Sequence, residues 1–486
     1  MEEEAKSIKS KSVTSFLSLL FQSGYSAVLG LAANLVLTIL LTPVIYGMYI
    51  TVLSLISLLN YFSDIGLAAS LIRKVEVTKD DIKTTFTVQQ ILILTLIITG
   101  FLLTSFIQSF YNLPKEGIYL YWALLISFFI SSLKTIPSVF LERKIMFHKI
   151  VMVQIIENTV FYISVSLLAY LGYGLTSFTV SVLLRAVVGL VLIYSVSFWV
   201  PAIGISTKSL KELLSFGFPF QANSLMALFK DDLITLFLGK VIGFEGLGYI
   251  GWAKKWAEAP LRIVMDNLTK VLFPLIAKIQ DSKEKISKVI GNVIYFQTIL
   301  LAPLMTLGVF LMPHVVSIVP KYSKWAPAVP LFNIFVLSSF LVTFSAPFIS
   351  LFNSMGKVKI SFMFMLSWTV LMWVLTPLFT NLFGLYGFPL AHLTLSLSFI
   401  FVVLMVKKFI RLNLFSLIYK PIVSTTIMSV ILVFSSTLLT QKSFVSLGLL
   451  LGIGGVTYLL SMIILFRTNI IKEALSLFVN KELKDL

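Results

Sequence analysis

The chain of 486 residues contains no cysteine. It therefore forms no disulfide, no thiolate-ligated metal site and no cysteine nucleophile. Histidine is also scarce, and His148, His314 and His392 lie far apart in the sequence with no metal-ligand spacing. We therefore predict neither a resident metal nor a cofactor.

Sequence motifs of catalysis and ATP hydrolysis are missing as well. The chain has no phosphate-binding P-loop, no H-E-x-x-H zinc motif and no G-x-S-x-G nucleophile elbow. No connector between its apolar stretches is long enough to fold as a separate catalytic domain. The sequence thus indicates a protein that is neither an enzyme nor an ATP-driven pump. If it drives transport, the energy comes from an ion gradient, Na⁺ or H⁺, or from consumption of the substrate on the far side.

Charged residues of either sign are few, whereas apolar residues are abundant. Only 12% of the residues are charged, 58% are hydrophobic, and the mean hydropathy is +0.98. Soluble domains are about 25% charged, so this composition is typical of a polytopic membrane protein. About fourteen apolar stretches reach the roughly 20 residues that a spanning helix needs. We expect an all-α polytopic membrane protein.

Acidic residues are fewer than basic ones. The chain has 21 Asp and Glu and 38 Lys and Arg, which gives a net charge of +17. A nucleic-acid partner would require the basic residues to cluster on one soluble face. Here they are spread over many connectors, so we predict contact with anionic membrane lipids and none with nucleic acid.

The basic residues sort into alternate connectors between the apolar stretches. One set of connectors holds most of them, whereas the intervening connectors carry only Lys115, Lys240, Lys321, Lys324 and Lys442. Short cytosolic loops carry the Lys and Arg excess in membrane proteins, so both termini should be cytosolic and the number of spans even.

Weak internal similarity indicates a repeat, because residues 37–47 (LTILLTPVIYG) resemble residues 233–243 (LITLFLGKVIG). The predicted organisation has four parts. These are an N-lobe of helices 1–6 (residues 1–206), a C-lobe of helices 7–12 (207–412), helices 13–14 (413–468) and an amphipathic cytosolic tail (469–486). Transporters built from repeats place the substrate path at the repeat interface.

Four charged residues of the eighth predicted helix, Lys255, Glu258, Arg262 and Asp266, follow one another at intervals of three or four residues. That spacing places them on one helix face. A charge at mid-membrane costs about 2.5 to 3.5 kcal/mol, so the face should line a wet cavity that binds substrate. The alternatives are intrahelical pairing at i,i+4 and displacement of the helix toward the interface.

Five further residues within the predicted spans are candidates for ion coupling or for pairing. Lys230, Asp231 and Asp232 in helix 7 form either an internal pair or a cation or substrate site. Glu157 in helix 5 is expected to pair. Asn34 in helix 1 is expected to form an interhelical hydrogen bond.

One further basic residue, Arg185, lies in the middle of helix 6. It either pairs with Glu157 across the first lobe or lines the cavity, and we favour the cavity.

Several short segments, in order along nearly the whole chain, carry a family resemblance. They are residues 43–49 (PVIYGMY), 64–69 (DIGLAA), 141–147 (LERKIMF), 172–175 (GYGL), 218–219 (FP), 247–249 (LGY) and 272–274 (LFP). With these segments the chain resembles the polysaccharide flippases of the Wzx type, within the multidrug, oligosaccharidyl-lipid and polysaccharide (MOP) exporter superfamily.

The resemblance implies two six-helix bundles in a V shape, like those of the MATE exporters, around a cavity that opens alternately to each side. It implies a polyprenyl pyrophosphate-linked oligosaccharide as cargo, flipped to the outer leaflet of a bacterial or archaeal cytoplasmic membrane for surface polysaccharide such as O-antigen or exopolysaccharide. Arg185, Lys255 and Arg262 are then the preferred pyrophosphate or sugar contacts. Polysaccharide polymerase or assembly proteins are possible partners, and the two-lobe symmetry favours a monomer.

Other functions stay open. A lipid II flippase would carry the same anionic lipid carrier. Drug and cation antiporters of the same superfamily often resemble one another in having an acidic residue within helix 1. This chain has only Asn34 there. A membrane scaffold for glycan-synthesis enzymes would gain nothing from intramembrane charge, and a membrane glycosyltransferase or ligase would need a large outer loop.

Overall fold

The computed structural model describes residues 2–63, 65–279, 282–439 and 441–467. Within these ranges the chain forms twenty α-helices and two short 3-10 helices, with no β-strand. A helix satisfies its own backbone hydrogen bonds, which a bilayer cannot do, so the apolar composition and the helical fold agree. The predicted all-α membrane fold is confirmed. Some side chains within these ranges are not described, namely those of residues 2–13, 15–17, 20, 218–227, 230, 266–271, 273, 274, 277 and 278.

The helices of the first half are bounded as follows. They are α1 (Glu2–Leu40), α2 (Pro43–Ser63), α3 (Leu67–Arg73), α4 (Lys79–Leu102), α5 (Thr104–Tyr111), α6 (Lys115–Ser132), α7 (Thr135–Arg143), α8 (Phe147–Tyr170), α9 (Thr176–Val196), α10 (Thr207–Lys230) and α11 (Asp232–Val241).

The helices of the second half begin with a long one. They are α12 (Gly243–Lys278), α13 (Lys283–Ile318), α14 (Val329–Thr343), α15 (Ala346–Ser354), α16 (Val358–Phe383), α17 (Gly387–Ser396), α18 (Phe399–Val406), α19 (Leu414–Leu438) and α20 (Phe444–Phe466), with 3-10 helices at Ser323–Ala328 and Gly384–Tyr386.

Ten described segments are long and apolar enough to cross a membrane, or eleven if α6 and α7 form one span bent by 41°. The predicted count of about fourteen is not confirmed. Part of the difference lies in α12, which is absent from that set because charged residues interrupt it. Another part lies in the segment Val358–Val406, which counts once although it contains α16, α17 and α18.

The first compact unit comprises Met1–Gly248. Its apolar core joins α2, α4, α6, α8 and α9 through fully buried side chains such as Val52, Leu120, Leu125, Val165 and Phe178. The unit also takes in α10 and α11, which pack on α3 and α2 respectively. It therefore extends beyond residue 206, where the sequence places the end of the N-lobe. The lobe boundaries themselves stay a prediction about the repeat.

A close backbone approach attaches α10 to α3. Gly66 precedes α3 with a φ of 82°, and a Cβ there would overlap the backbone of Gly217 in α10. One helical turn further along α3, the Ser70 hydroxyl donates a hydrogen bond of 2.6 Å to the carbonyl oxygen of Leu213. Glycine at both contact positions lets the two backbones meet.

Charged side chains extend the same contact at the end of α3. Lys74 Nζ lies 2.9 Å from a carboxylate oxygen of the buried Asp81 and 3.0 Å from one of Glu212. These contacts, first of all the hydrogen bond to Asp81, raise the pKa of the Lys74 ammonium. The Arg73 guanidinium lies 4.3 Å from the ring centroid of Phe216. The start of α10 is thus attached to the first unit by backbone, ionic and cation-π contacts together.

The second compact unit comprises Tyr249–Leu486, and its described residues include the two following apolar clusters. One cluster centres on Ile290, Phe348 and Val406, and it joins α13, α15 and α18. The other centres on Met428 and Leu450, where α19 and α20 pack on α13. Predicted helices 13 and 14 are therefore integral to this unit. The predicted amphipathic tail, residues 469–486, lies outside the described residues.

The start of α2 gives a sharp test of packing. A Cβ on Gly47 would overlap the carbonyl oxygen of Phe244, so we expect Gly47→Ala to lower the midpoint of thermal unfolding by several degrees. Gly452→Ala is the matched control, since nothing lies within 4 Å of its Cβ position. Replacing an exposed helical glycine adds up to about 1 kcal/mol of stability. Equal midpoints for the two variants, measured in detergent, would contradict the contact.

Candidate functional site

The charged residues within the predicted spans fall in both compact units, and each unit presents its own set. In the first unit, Arg185 occupies the middle of α9 and its side chain is exposed. Its guanidinium lies 5.7 Å from the ring centroid of Phe161 and within electrostatic range of the Tyr49 and Tyr162 hydroxyls. Among the described residues, no carboxylate comes within 4 Å of it. Arg185 is therefore a cation surrounded by aromatic rings and without an acidic partner there.

Glu157 lies on the neighbouring helix α8, but it does not pair with Arg185. Its carboxylate accepts a hydrogen bond of 2.5 Å from Nζ of Lys134, at the break between α6 and α7. The carboxylate is buried, and it fits only because Gly189 on α9 has no side chain, since a Cβ there would overlap it. Pairing was the favoured interpretation of Glu157. The sequence reasoning missed that Lys134 is the partner.

Asn34 forms a hydrogen-bonded link between α1 and α2. The hydroxyl of Tyr46 donates to its Oδ1 at 2.9 Å, and Thr38 Oγ1 donates to its backbone carbonyl at 2.7 Å. The residue is 1% exposed. This geometry matches the expected interhelical hydrogen bond.

Asp231 and Asp232 lie where predicted helix 7 breaks into α10 and α11. Thr235 Oγ1 donates 2.8 Å to the carbonyl oxygen of Asp231, and Tyr61 of α2 lies within electrostatic range of both carboxylates. No described Lys or Arg approaches either carboxylate within 4 Å. The side chain of Lys230 lies outside the described residues, so its pairing with them stays a prediction.

In the second unit, Glu258 is the centre of a charged cluster on α12. Arg262 Nη2 donates to one of its oxygens at 2.9 Å, and Lys254 Nζ lies 3.8 Å from the other. Both partners are one turn away, which is the i,i+4 pairing that the sequence left open as an alternative. Lys254 was missed as a member, although its spacing from Glu258 was a usable signal. The side chain of Asp266 lies outside the described residues.

Lys255 differs from its neighbours on α12. Its side chain is exposed, and within the described part of the chain no carboxylate lies within 4 Å of its ammonium. Arg262 is close enough to repel it electrostatically. Because Lys254 and Arg262 share one carboxylate, this stretch of α12 carries an excess of positive charge.

Arg185 and Lys255 carry the side-chain groups that proteins use to bind anions. Guanidinium and ammonium groups donate charge-assisted hydrogen bonds to phosphate oxygens, and Arg does so in a bidentate manner. Aromatic rings with hydroxyls, such as Tyr49 and Tyr162, offer apolar faces and hydrogen bonds to polar ligands. Within the described residues, no group of three or more His, Cys, Asp or Glu side chains is placed to hold a metal ion.

The sequence matches a family model described as polysaccharide biosynthesis protein over residues 36–330. It is 25% identical over 222 residues to the succinoglycan biosynthesis transport protein ExoT of Rhizobium meliloti (strain 1021), covering 46% of this chain and 45% of that protein. It is 26% identical over 354 residues to the lipopolysaccharide biosynthesis protein WzxC of Escherichia coli (strain K12), covering 69% of this chain and 68% of that protein.

A third relative is the teichuronic acid biosynthesis protein TuaB of Bacillus subtilis (strain 168). The identity is 23% over 303 residues, which cover 62% of each protein. The chain thus spans less than two thirds of the length of two of these relatives, namely 62% of TuaB and 45% of ExoT.

Solved structures share the fold. The lipid II flippase MurJ in its inward closed conformation is 15% identical, with a TM-score of 0.77 over 94% of this chain and 99% of that one. An inward-facing multidrug resistance MATE family transporter of the MOP superfamily is 16% identical, with a TM-score of 0.55 over 81% and 95%. At these identities the likeness concerns the fold alone.

The buried ion pair of the first unit can be tested by a double-mutant cycle. Lys134→Met leaves the Glu157 carboxylate buried and unpaired, which should lower the free energy of unfolding by about 3 to 5 kcal/mol. Adding Glu157→Met removes the orphaned charge, so the double variant should recover most of that loss. Glu116→Gln, at an exposed carboxylate, is the control. A double variant as unstable as Lys134→Met alone would contradict the pair.

Proposed function

Because the chain belongs to the polysaccharide biosynthesis protein family, whose model matches residues 36–330, we propose that it flips lipid-linked oligosaccharide repeat units across a membrane. The cargo is a polyprenyl pyrophosphate-linked oligosaccharide, moved from the cytosolic to the outer leaflet for cell-surface polysaccharide. Names of the relatives support this, since ExoT is called a transport protein and all three are named for biosynthesis of a polysaccharide or glycan polymer. The shared fold with MurJ and a MATE transporter is a transporter fold.

The observation that carries the proposal is unmatched positive charge within long helices. Arg185 in the middle of α9 and Lys255 in α12 each lack a carboxylate within 4 Å among the described residues. Keeping such charges in a membrane span is costly unless they meet water or a counter-charge. A pyrophosphate supplies that negative charge during transport, and then departs with its cargo.

The other parts of the cargo fit the same surfaces. The aromatic residues Phe161, Tyr49 and Tyr162 around Arg185 provide stacking faces and hydroxyls for sugar rings. The polyprenyl chain is apolar and stays in the bilayer. Arg262 is a weaker candidate contact, because Glu258 already engages its guanidinium.

Transport proceeds by alternating access, without ATP. Asp231 and Asp232 are the best-placed carboxylates for coupling to Na⁺ or H⁺, because they flank the break in helix 7 and have no basic partner among the described residues. Glu157 and Asn34 are less suited, since each is occupied by a hydrogen bond.

We propose that the protein works in a cytoplasmic membrane as a monomer with both termini cytosolic, and that it hands cargo to polysaccharide polymerase or assembly proteins. A lipid II-type flippase is the alternative, favoured by the structural likeness to MurJ. A drug or cation antiporter is disfavoured, since unmatched cations repel a cationic drug.

Single neutralisations test the cargo contacts. Arg185→Gln and Lys255→Gln should each slow cargo translocation by roughly 10- to 100-fold, because each removes a charge-assisted hydrogen bond to the pyrophosphate. Lys442→Gln, the same change in the connector between α19 and α20, should leave the rate unchanged. The measurement is mass spectrometry of polyprenyl-linked glycans with an outer-face accessibility probe, in cells depleted of the native protein.

The same assay separates the alternatives. Accumulation of one glycan confined to the inner leaflet identifies the cargo, and accumulation of lipid II would move the assignment to that substrate. Full activity of both variants would refute the cargo contacts. Unchanged lipid-linked glycans together with greater sensitivity to cationic compounds would establish an antiporter instead.

A further inference from the structure

A long stretch of the second unit carries no acidic residue. Between Glu284 and Glu473 the sequence contains no Asp and no Glu. The basic residues of that stretch are Lys285, Lys288, Lys321, Lys324, Lys357, Lys359, Lys407, Lys408, Arg411, Lys420, Lys442, Arg467 and Lys472. No residue of α14 to α20 can therefore supply a carboxylate to them.

Two of these basic residues line a cavity. The connector between α18 and α19 forms an open cavity at the surface, of about 620 Å³, lined by Lys407, Ile410, Arg411, Leu412 and Asn413.

The cavity is fixed to the core of its unit. Ile410 is 2% exposed and belongs to the apolar cluster around Phe348 and Val406. The carbonyl oxygen of Arg411 accepts a hydrogen bond from the hydroxyl of Ser287 in the first turns of α13. Among the described residues, neither Lys407 nor Arg411 forms an ion pair. The backbone of the connector is thus held by packing and a hydrogen bond, and the charges of Lys407 and Arg411 are unmatched among the described residues.

Large exposed apolar side chains flank the cavity. Phe401 and Leu404 on α18 are 67% and 54% exposed, and Phe415 on α19 is 75% exposed. Cationic side chains next to exposed apolar ones are typical of a helix end at the membrane interface. The Lys and Arg distribution puts this end on the cytosolic side, where the leaflet contains anionic lipids.

We propose that the cavity between α18 and α19 binds the phosphate headgroup of an anionic glycerophospholipid. Lys407 and Arg411 contact the phosphate, and the acyl chains lie along Phe401, Leu404 and Phe415. This site is distinct from Arg185 and Lys255, and it does not depend on which cargo the protein carries.

The test uses the full chain, delipidated in a neutral detergent. Native mass spectrometry measures the affinity for phosphatidylglycerol, with zwitterionic phosphatidylcholine as the reference lipid. Two interfacial charges at about fivefold each predict a roughly 25-fold weaker affinity of Lys407→Gln/Arg411→Gln for phosphatidylglycerol. Lys442→Gln/Lys321→Gln removes two charges elsewhere in the acid-free stretch and should retain the native affinity. The charge-preserving Arg411→Lys should retain most of it.

Three results would overturn the proposal. The first is equal phosphatidylglycerol affinity of the native chain and Lys407→Gln/Arg411→Gln. The second is equal binding of phosphatidylcholine and phosphatidylglycerol by the native chain. The third is saturation of the site by millimolar inorganic phosphate, which would mark a site for free anions. Thermal unfolding midpoints without lipid confirm that the variants are folded. Cargo translocation is assayed separately, so failure here leaves the flippase proposal intact.

Discussion

The structure depends on one constraint: the bilayer interior offers a charged side chain no counter-ion of its own. A charged side chain in a span must be matched by the protein, face water or meet a ligand. The first solution is seen in Lys134 with Glu157, and in Lys254 and Arg262 around Glu258. These paired charges stabilise the fold, since removing one partner leaves the other without a counter-charge. Arg185 and Lys255 lack such a match among the described residues, and their charge is therefore available to cargo.

The sequence predicts best what local spacing decides. Apolar stretches of helical length gave the all-α membrane fold, and intervals of three or four residues brought Glu258 and Arg262 together. The partner of Glu157 could not be read in this way. Lys134 reaches it only because α6 breaks into α7 beside α8, and the carboxylate fits only because α9 presents Gly189. The partners in an ion pair that helix packing brings together can be predicted only when that packing is known.

The packing of α10 illustrates the same limit. Repeat symmetry assigns this helix to the C-lobe, yet it packs within the first compact unit through Gly217, Leu213 and Glu212. Its continuation α11 packs on α2, and Asp231 and Asp232 lie at the break between the two. The helix is interrupted at Asp231, between the end of α10 and the start of α11. Broken helices form the substrate and ion sites of many transporters, and this supports our proposal that these carboxylates, rather than Glu157, couple transport to an ion.

Unmatched positive charge has different consequences for ligand binding within a membrane span and at the membrane interface. Within a span, Arg185 and Lys255 lie farther from the bulk salt solution than interfacial residues, so salt screens their attraction for an anionic ligand less. At the interface, water and counter-ions screen the charges of Lys407 and Arg411. The Debye length is only about 8 Å at physiological ionic strength. Binding there should weaken as salt rises, whereas binding within the span should change little. Salt dependence thus distinguishes a transport site from a lipid site in the same chain, without reference to either ligand's identity.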